Sequence, residues 1–256
     1  MLETDSGLGQ LIVDAVRDRV ARAQTTTQYR VPLVSSADAA DPRFPALRQY
    51  VDPGHLTPEE LLPGARSVVS FFVPFDRRVV ESNAADPDAV AREWALAYIE
   101  TNTLIKKITD HLIELLATQG VRGAAEPPTG NFEPAGLTSH WSHKSVAVIA
   151  GLGSFGLHHM IITEAGCAGR LGSVVIDGQL PVNPPRSVNR CLYLQDRSCG
   201  ECLQRCPVSA LSEDNQIDRH RCWNRILEAP GLPAGDQTPQ VCGKCAIGPC
   251  SLESPV

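Results

Sequence analysis

The chain has 256 residues, 43% of them hydrophobic and 20% charged, and a formal net charge of -6. This is an ordinary globular composition, at a length where a single hydrophobic core stops growing, roughly 250–300 residues. One main domain with a small appendage is expected, and the acidic balance argues against a protein built around a broad basic face for nucleic acid.

Met1-Leu-Glu-Thr-Asp-Ser lacks the positive start and apolar run of a signal peptide. Leu8–Ala23 places Leu8, Leu11, Ile12, Ala15, Val16 and Val20 at helical spacing on one face. Pro32 to Pro63 reads as an irregular connection, with a short helix after Thr57-Pro58-Glu59-Glu60. Ser67–Pro74 (SVVSFFVP) is a β-branched and aromatic run of strand length, expected to be buried on both faces. Ala89–Gln119 reads as one long helix or a pair, with a stripe of Leu104, Ile105, Ile108, Leu112, Leu115 and Leu116 and a stop at Gly120. Val121–Ala125 is a strand, Pro127 to Thr138 a loop, and Ser142–Ala150 a helix running into a glycine-rich turn. Strands follow at Met160–Thr163 and Gly172–Asp177, with Asp177-Gly178 suggesting a hairpin turn. Pro181–Pro185 marks the boundary to a cysteine-rich tail. The longest apolar stretches, around Val68–Phe75 and Val146–Leu157, fall short of the ~20 residues of a membrane helix. A cytoplasmic location without a membrane partner is expected, where cysteines bind metal more readily than they pair as disulfides.

Eight of the nine cysteines lie between Cys191 and Cys250. Cys199-Gly-Glu-Cys202-Leu-Gln-Arg-Cys206-Pro207 carries the Cys-Pro step of bacterial ferredoxins, in which the cysteine before proline ligates the other cluster. That crossover rule divides the thiols into Cys191, Cys199, Cys202 and Cys250 for one [4Fe–4S] cluster and Cys206, Cys222, Cys242 and Cys245 for a second. Two departures stand out: Asp196 occupies the usual first position, leaving Cys191 as substitute, and no proline follows Cys250. Structural zinc is the competing reading of paired Cys-x-x-Cys, disfavoured by the Cys-Pro step and the total of eight. Cys167 stands apart and reads as a buried structural thiol.

Gly151-x-Gly153-x-x-Gly156 fits a dinucleotide fingerprint, with Asp177 further on. The context fails, because Met160-Ile-Ile-Thr163 and the glycines at 166, 169 and 172 cannot form the long helix the fingerprint must open.

Ser142-His-Lys-Ser-Val-Ala-Val-Ile-Ala-Gly-Leu-Gly-Ser-Phe-Gly156, followed by Ile161-Ile-Thr163 and Gly172-Ser-Val-Val-Ile176, resembles the epoxyqueuosine reductase family, whose plan the cobalamin-dependent reductive dehalogenases share. The resemblance implies a nitroreductase-like α/β cradle for cobalamin over residues 1–185, followed by a ferredoxin-like two-cluster module over residues 186–256. Ala150, Gly151, Leu152, Gly153, Ser154, Phe155, Gly156, Thr163 and Ser173 would line the corrinoid pocket, the glycines allowing close backbone approach. The family's aspartate proton donor falls on Leu137, and the intervening domain and C-terminal extension used around tRNA are not seen. tRNA is on these grounds a doubtful substrate.

His140 and His143 are the proton-donor candidates, since imidazole titrates near neutral pH, with Glu133 in reserve. Each could equally be a polar helix-start residue. His158-His159 could approach the cobalt or face solvent, and Arg170 could bind an anionic group or form a surface salt bridge. The sequence thus points to a cobalamin-dependent iron–sulfur reductase of a small molecule, served by a low-potential ferredoxin or flavodoxin. The alternatives are an iron–sulfur electron carrier for a partner corrinoid or flavin protein, the same fold holding flavin, and epoxyqueuosine reduction in tRNA.

Overall fold

The structure is a computed structural model that describes residues 7–129, 132–133, 135–182, 188–228 and 239–256. In chain order it holds α1 (Gly7–Ala21), β1 (Leu33–Asp38), α2 (Arg43–Tyr50), α3 (Pro58–Leu61), β2 (Ser67–Pro74), α4 (Arg77–Ala84), α5 (Arg92–Ala117), β3 (Gly123–Ala124), β4 (Phe132–Glu133) and β5 (Thr138–Ser139). These are followed by α6 (His143–Ile149), β6 (Gly153–Phe155), β7 (Ile161–Thr163), β8 (Gly169–Ile176), α7 (Leu192–Asp196), α8 (Glu201–Arg205), α9 (Arg219–Glu228) and a 3₁₀ turn at Lys244–Ala246. Among the described residues, no helix is long and apolar enough to cross a membrane.

The main sheet has the order β1-β2-β8-β3, antiparallel throughout. All eight residues of β2 are buried, and side-chain alternation divides them between two layers. Val69, Phe71 and Val73 pack with α1 and with Leu104, Ile105, Ile108, Leu112 and Leu116 of α5. Val68 turns to the opposite face, against Trp141, Val146 and Ile149. Burying each such side chain contributes about 1.5–3 kcal/mol. The sheet is thus sandwiched between helices, which explains the continuous apolar run of its central strand.

Part of the expected irregular connection is in fact β1 and α2. The serines at the centre of β1 conceal it, yet both are buried and satisfied: Ser35 donates to the carbonyl of Ala150, and Ser36 to that of Pro181 at 2.5 Å. The short helix after Thr57 forms as α3, closed by a capping box with Glu60. The Asp177-Gly178 hairpin turn does not form. Asp177 instead accepts hydrogen bonds from the Arg122 amide and Nε, both at 2.7 Å, pinning β8 to the approach of β3.

The cysteine-rich segment packs back onto the sandwich. Phe75, Val79, Val80 and Trp94 share a core with Ile162, Cys167, Ala246 and Ile247. Lys244, almost fully buried, donates to the carbonyls of Asn83 (2.6 Å), Asp86 (2.8 Å) and Ala89 (2.6 Å). Arg30 reaches across to the Leu252 carbonyl at 2.6 Å. The boundary expected at residues 185 and 186 lies outside the described residues.

Candidate active site

Helix α6 starts at Ser142, whose hydroxyl accepts from the Ser145 amide at 3.2 Å, a side-chain cap for an otherwise unpaired donor. It ends at Gly151, whose φ of +74° suits the left-handed turn that closes a helix. The chain then enters a small hairpin, Gly153 pairing with Thr163 and Phe155 with Ile161. A Cβ on Gly153 would lie 2.3 Å from the Ile162 carbonyl oxygen. This glycine is therefore required by strand-to-strand approach, and does not open space for a macrocycle. The same hairpin disposes of the dinucleotide fingerprint, since β6 is followed by a strand.

Beside this hairpin lies a cavity of about 960 Å³, at the upper end of the range for ligand pockets, ≈ 300–1,000 Å³. Ser142, Lys144 and Ser145 line one side, Phe155, Gly156 and His159 another, and Cys222 and Trp223 of α9 a third. Such a volume suits a large cofactor better than a small substrate alone. Within the expected corrinoid contacts, Phe155 and Gly156 reach the cavity, and the others are engaged elsewhere. Ala150 and Leu152 are buried in the core. Ser154 accepts from the Arg190 amide at 2.8 Å, holding the entry to the cysteine segment. Thr163 donates to the Gly166 carbonyl at 2.8 Å. Ser173 is buried beneath Trp141 Nε1 and His143 Nδ1, each at 2.9 Å.

The histidine expectations need correction in the same way. His143 turns into the core, where Nδ1 meets Ser173 and Nε2 meets the Pro127 carbonyl at 3.1 Å. Burial brings its pKa down to about 4, so near neutral pH it is an uncharged structural group. His140 is half-exposed, with Nδ1 3.5 Å from Asp52 Oδ1. Asp52 also accepts from Thr138 at 2.5 Å, a bond that holds its carboxyl below the usual range. Neither histidine lines the cavity, and Glu133 is exposed. Lys144 and His159 do line it, together with Arg43 and Arg219. Lys144 Nζ donates to the His159 carbonyl at 3.1 Å, and burial lowers the pKa of both side chains. His159 Nε2 is buried without a hydrogen-bond partner. Lys144 carries no special mark in the sequence beyond its place after His143.

A second cavity of about 270 Å³ is bordered by Cys206, Cys222, Cys242 and Cys245, and by Cys167. Lys144, His159 and Cys222 line both cavities, so one thiol of this set stands at the wall of the large one. Cys191, Cys199, Cys202 and Cys250 surround a third, small void, which Cys245 also borders. Within each group the thiols press on one another. Burial, then Cys191, Cys250 and Cys199, push Cys202 up to about 12. Burial, Cys222, Cys242 and Cys206 likewise raise Cys245. Sulfur donors gathered in this way about each void fit a polynuclear cationic centre that would neutralise them as thiolates. Cys250 differs. The Cys167 thiol and, after it, the His158 ring hold it well below the ordinary thiol range. The Arg170 guanidinium lies 4.5 Å from the Tyr98 ring centroid, its Nε donates to Asn102 at 3.0 Å, and its side chain borders the second cavity.

Solved structures that share this fold are of two kinds. An epoxyqueuosine reductase solved with an epoxyqueuosine-modified tRNA-Tyr stem loop superposes with a TM-score of 0.61 at 19% identity, over 95% of this chain and 66% of that one. A catabolic reductive dehalogenase superposes with a TM-score of 0.58 at 15% identity, over 87% of this chain and 30% of its own. No protein-family model matches the chain. In sequence, it is 27% identical over 206 residues to the epoxyqueuosine reductase of Vibrio cholerae, covering 73% of this chain and 52% of that protein. The chain is thus similar to the epoxyqueuosine reductases, and spans about half the length of the curated relatives it matches.

Proposed function

We propose that the chain is a cobalamin-dependent iron–sulfur reductase, with the corrin in the large cavity and two [4Fe–4S] clusters on the two thiol sets. In this reading residues 1–185 form a nitroreductase-like cradle and residues 186–256 a ferredoxin-like module. The observation that carries the reading is the position of Cys222, shared between the large cavity and the second thiol set. An electron leaving that set needs no further protein group to reach a ligand in the cavity. Ser142, Ser145, Phe155, Gly156 and Trp223 would hold the corrin. Bound there, it supplies a low-valent cobalt able to reduce an electrophile, while the protein contributes placement, charge and protons.

Lys144 is the proton source in place of His140 and His143. Its amine lies at the cavity wall, anchored to the His159 carbonyl, and burial eases loss of its proton. Reducing an epoxide to an alkene consumes two electrons and two protons and releases water, so a donor poised there answers a need of the chemistry. His159, with its unpartnered ring nitrogen, is suited to relay the second proton.

For the substrate, the family relatives favour epoxyqueuosine in tRNA over the small molecule first expected. Helix α9 supports them despite the acidic total: Arg219, His220, Arg221 and Arg225 lie within seven residues, and Arg219 borders the large cavity beside Trp223. A basic helix with an aromatic at a cavity mouth suits an RNA loop. A small-molecule substrate remains the second reading, because Leu137 stands where the family carries its aspartate and none of the described cavity residues is a carboxylic acid. The deciding experiment supplies anaerobically reconstituted protein with reduced flavodoxin and an epoxyqueuosine-containing tRNA stem loop. Formation of queuosine is expected. A protein that retains corrin and clusters yet leaves the stem loop unchanged would favour the small-molecule reading.

A further inference from the structure

We infer that the turn joining β6 to β7 tunes the first thiol set, with His158 acting as a positioning residue that donates a hydrogen bond to Cys250. The inference rests on the iron–sulfur reading above. Cys191 and Cys250 are the two thiols that depart from ferredoxin spacing, and both are met by consecutive residues of this turn. The Leu157 amide donates to Cys191 Sγ at 3.5 Å, and His158 Nε2 lies 3.3 Å from Cys250 Sγ.

The backbone fixes which ring nitrogen carries the proton. The Met160 amide donates to His158 Nδ1 at 3.0 Å, so that nitrogen presents its lone pair. The proton of the neutral ring then sits on Nε2, aimed at the sulfur. His158 is only 4% exposed, so water does not compete for the bond. Cys167, the ninth cysteine, places its Sγ 3.9 Å from that of Cys250 and donates to the Ala246 carbonyl at 3.7 Å, so His158 is the donor that faces the Cys250 sulfur. The unusual ligand thus carries an outer shell built by the cradle, and not by the cysteine segment itself.

The consequence is electrochemical. A cluster gains negative charge when reduced, and that charge spreads onto its thiolates. A donor held against one of them stabilises the reduced form and raises the potential. The other side of the same turn presents Gly156 and His159 to the large cavity, so a single turn serves both centres.

The test is an EPR-monitored redox titration of the reconstituted protein, with His158→Leu and His158→Gln beside the native chain. The leucine variant should show the first cluster about tenfold harder to reduce, a shift of about 59 mV for one electron, while the second cluster is unmoved. Glutamine, whose amide nitrogen reaches the place of Nε2, should restore most of the shift. In the native protein labelled with ¹⁵N-histidine, ENDOR of the reduced first cluster should detect one weakly coupled nitrogen that the glutamine variant lacks. Absence of that coupling, or an unchanged potential in His158→Leu, would overturn the inference. Absence of any cluster signal in the native protein would instead remove the iron–sulfur reading beneath it.

Discussion

His143 shows how a residue with catalytic chemistry can be claimed by the core. Its pKa, about 4 against an ordinary value near 6.5, means that the unfolded chain takes up a proton the native one refuses. Stability from this group is therefore complete above pH ~6.5 and falls as pH drops toward 4. Denaturation midpoints at pH 7 and pH 5 should show a loss of roughly 2 kcal/mol in the native chain. The His143→Gln variant should lack that share of the acid sensitivity. Lys144, one residue on, points the other way into the cavities. Lys144→Met should lower turnover by at least about 100-fold, the low end of what a general acid contributes, while leaving the visible spectrum of bound cofactors unchanged. Lys144→Arg should keep the charge but not the activity, because guanidinium does not give up its proton. The sequence drew attention to His140 and His143 through their ordinary titration range. It could not reveal that helical geometry turns position 143 inward and 144 toward the cavity, because α6 is amphipathic over only seven residues.

At the scale of elements, β2, α1 and α5 were legible because their apolar spacing reflects the packing they enter. β1 was not, since Ser35 and Ser36 signal a loop unless their buried carbonyl partners are known. The Gly151–Gly156 segment was legible as a tight turn, and its hairpin explains the glycines without a cofactor. Gly153→Ala forces a methyl to 2.3 Å from a backbone oxygen that cannot withdraw without breaking the β6–β7 pairing. A loss of about 3 kcal/mol is expected, at the top of the range for overpacking. Chemical denaturation checks it, and a loss under about 1 kcal/mol would mean the hairpin yields easily. Helix α9 offers a separate test. Exchanging Arg219 and Arg221 for alanine should weaken binding of a tRNA stem loop and reduce the salt dependence of its affinity by about one to two charges. An unchanged salt slope would take α9 out of the RNA interface.

At the scale of the molecule, the sandwich and the cysteine segment are joined by a common core and by the buried Lys244. That union fixes the spacing between thiols and cavity. The Cys-Pro step suggests a division of eight thiols into two fours. Their relation to the cavity was not legible, because Cys222 is separated from α6 by more than seventy residues of sequence. The central claim is that electrons cross from the second thiol set to a corrin in the large cavity, with Cys222 at the junction. The most direct measurement is EPR of anaerobically reconstituted protein loaded with cobalamin and reduced stepwise. The bound cob(II)alamin signal should disappear as the clusters are reduced in the native chain, and persist in Cys222→Ser, which keeps the corrin but loses the adjoining cluster. Cobalt reduction that proceeds equally well in Cys222→Ser, or a native protein that retains no corrin, would contradict the account.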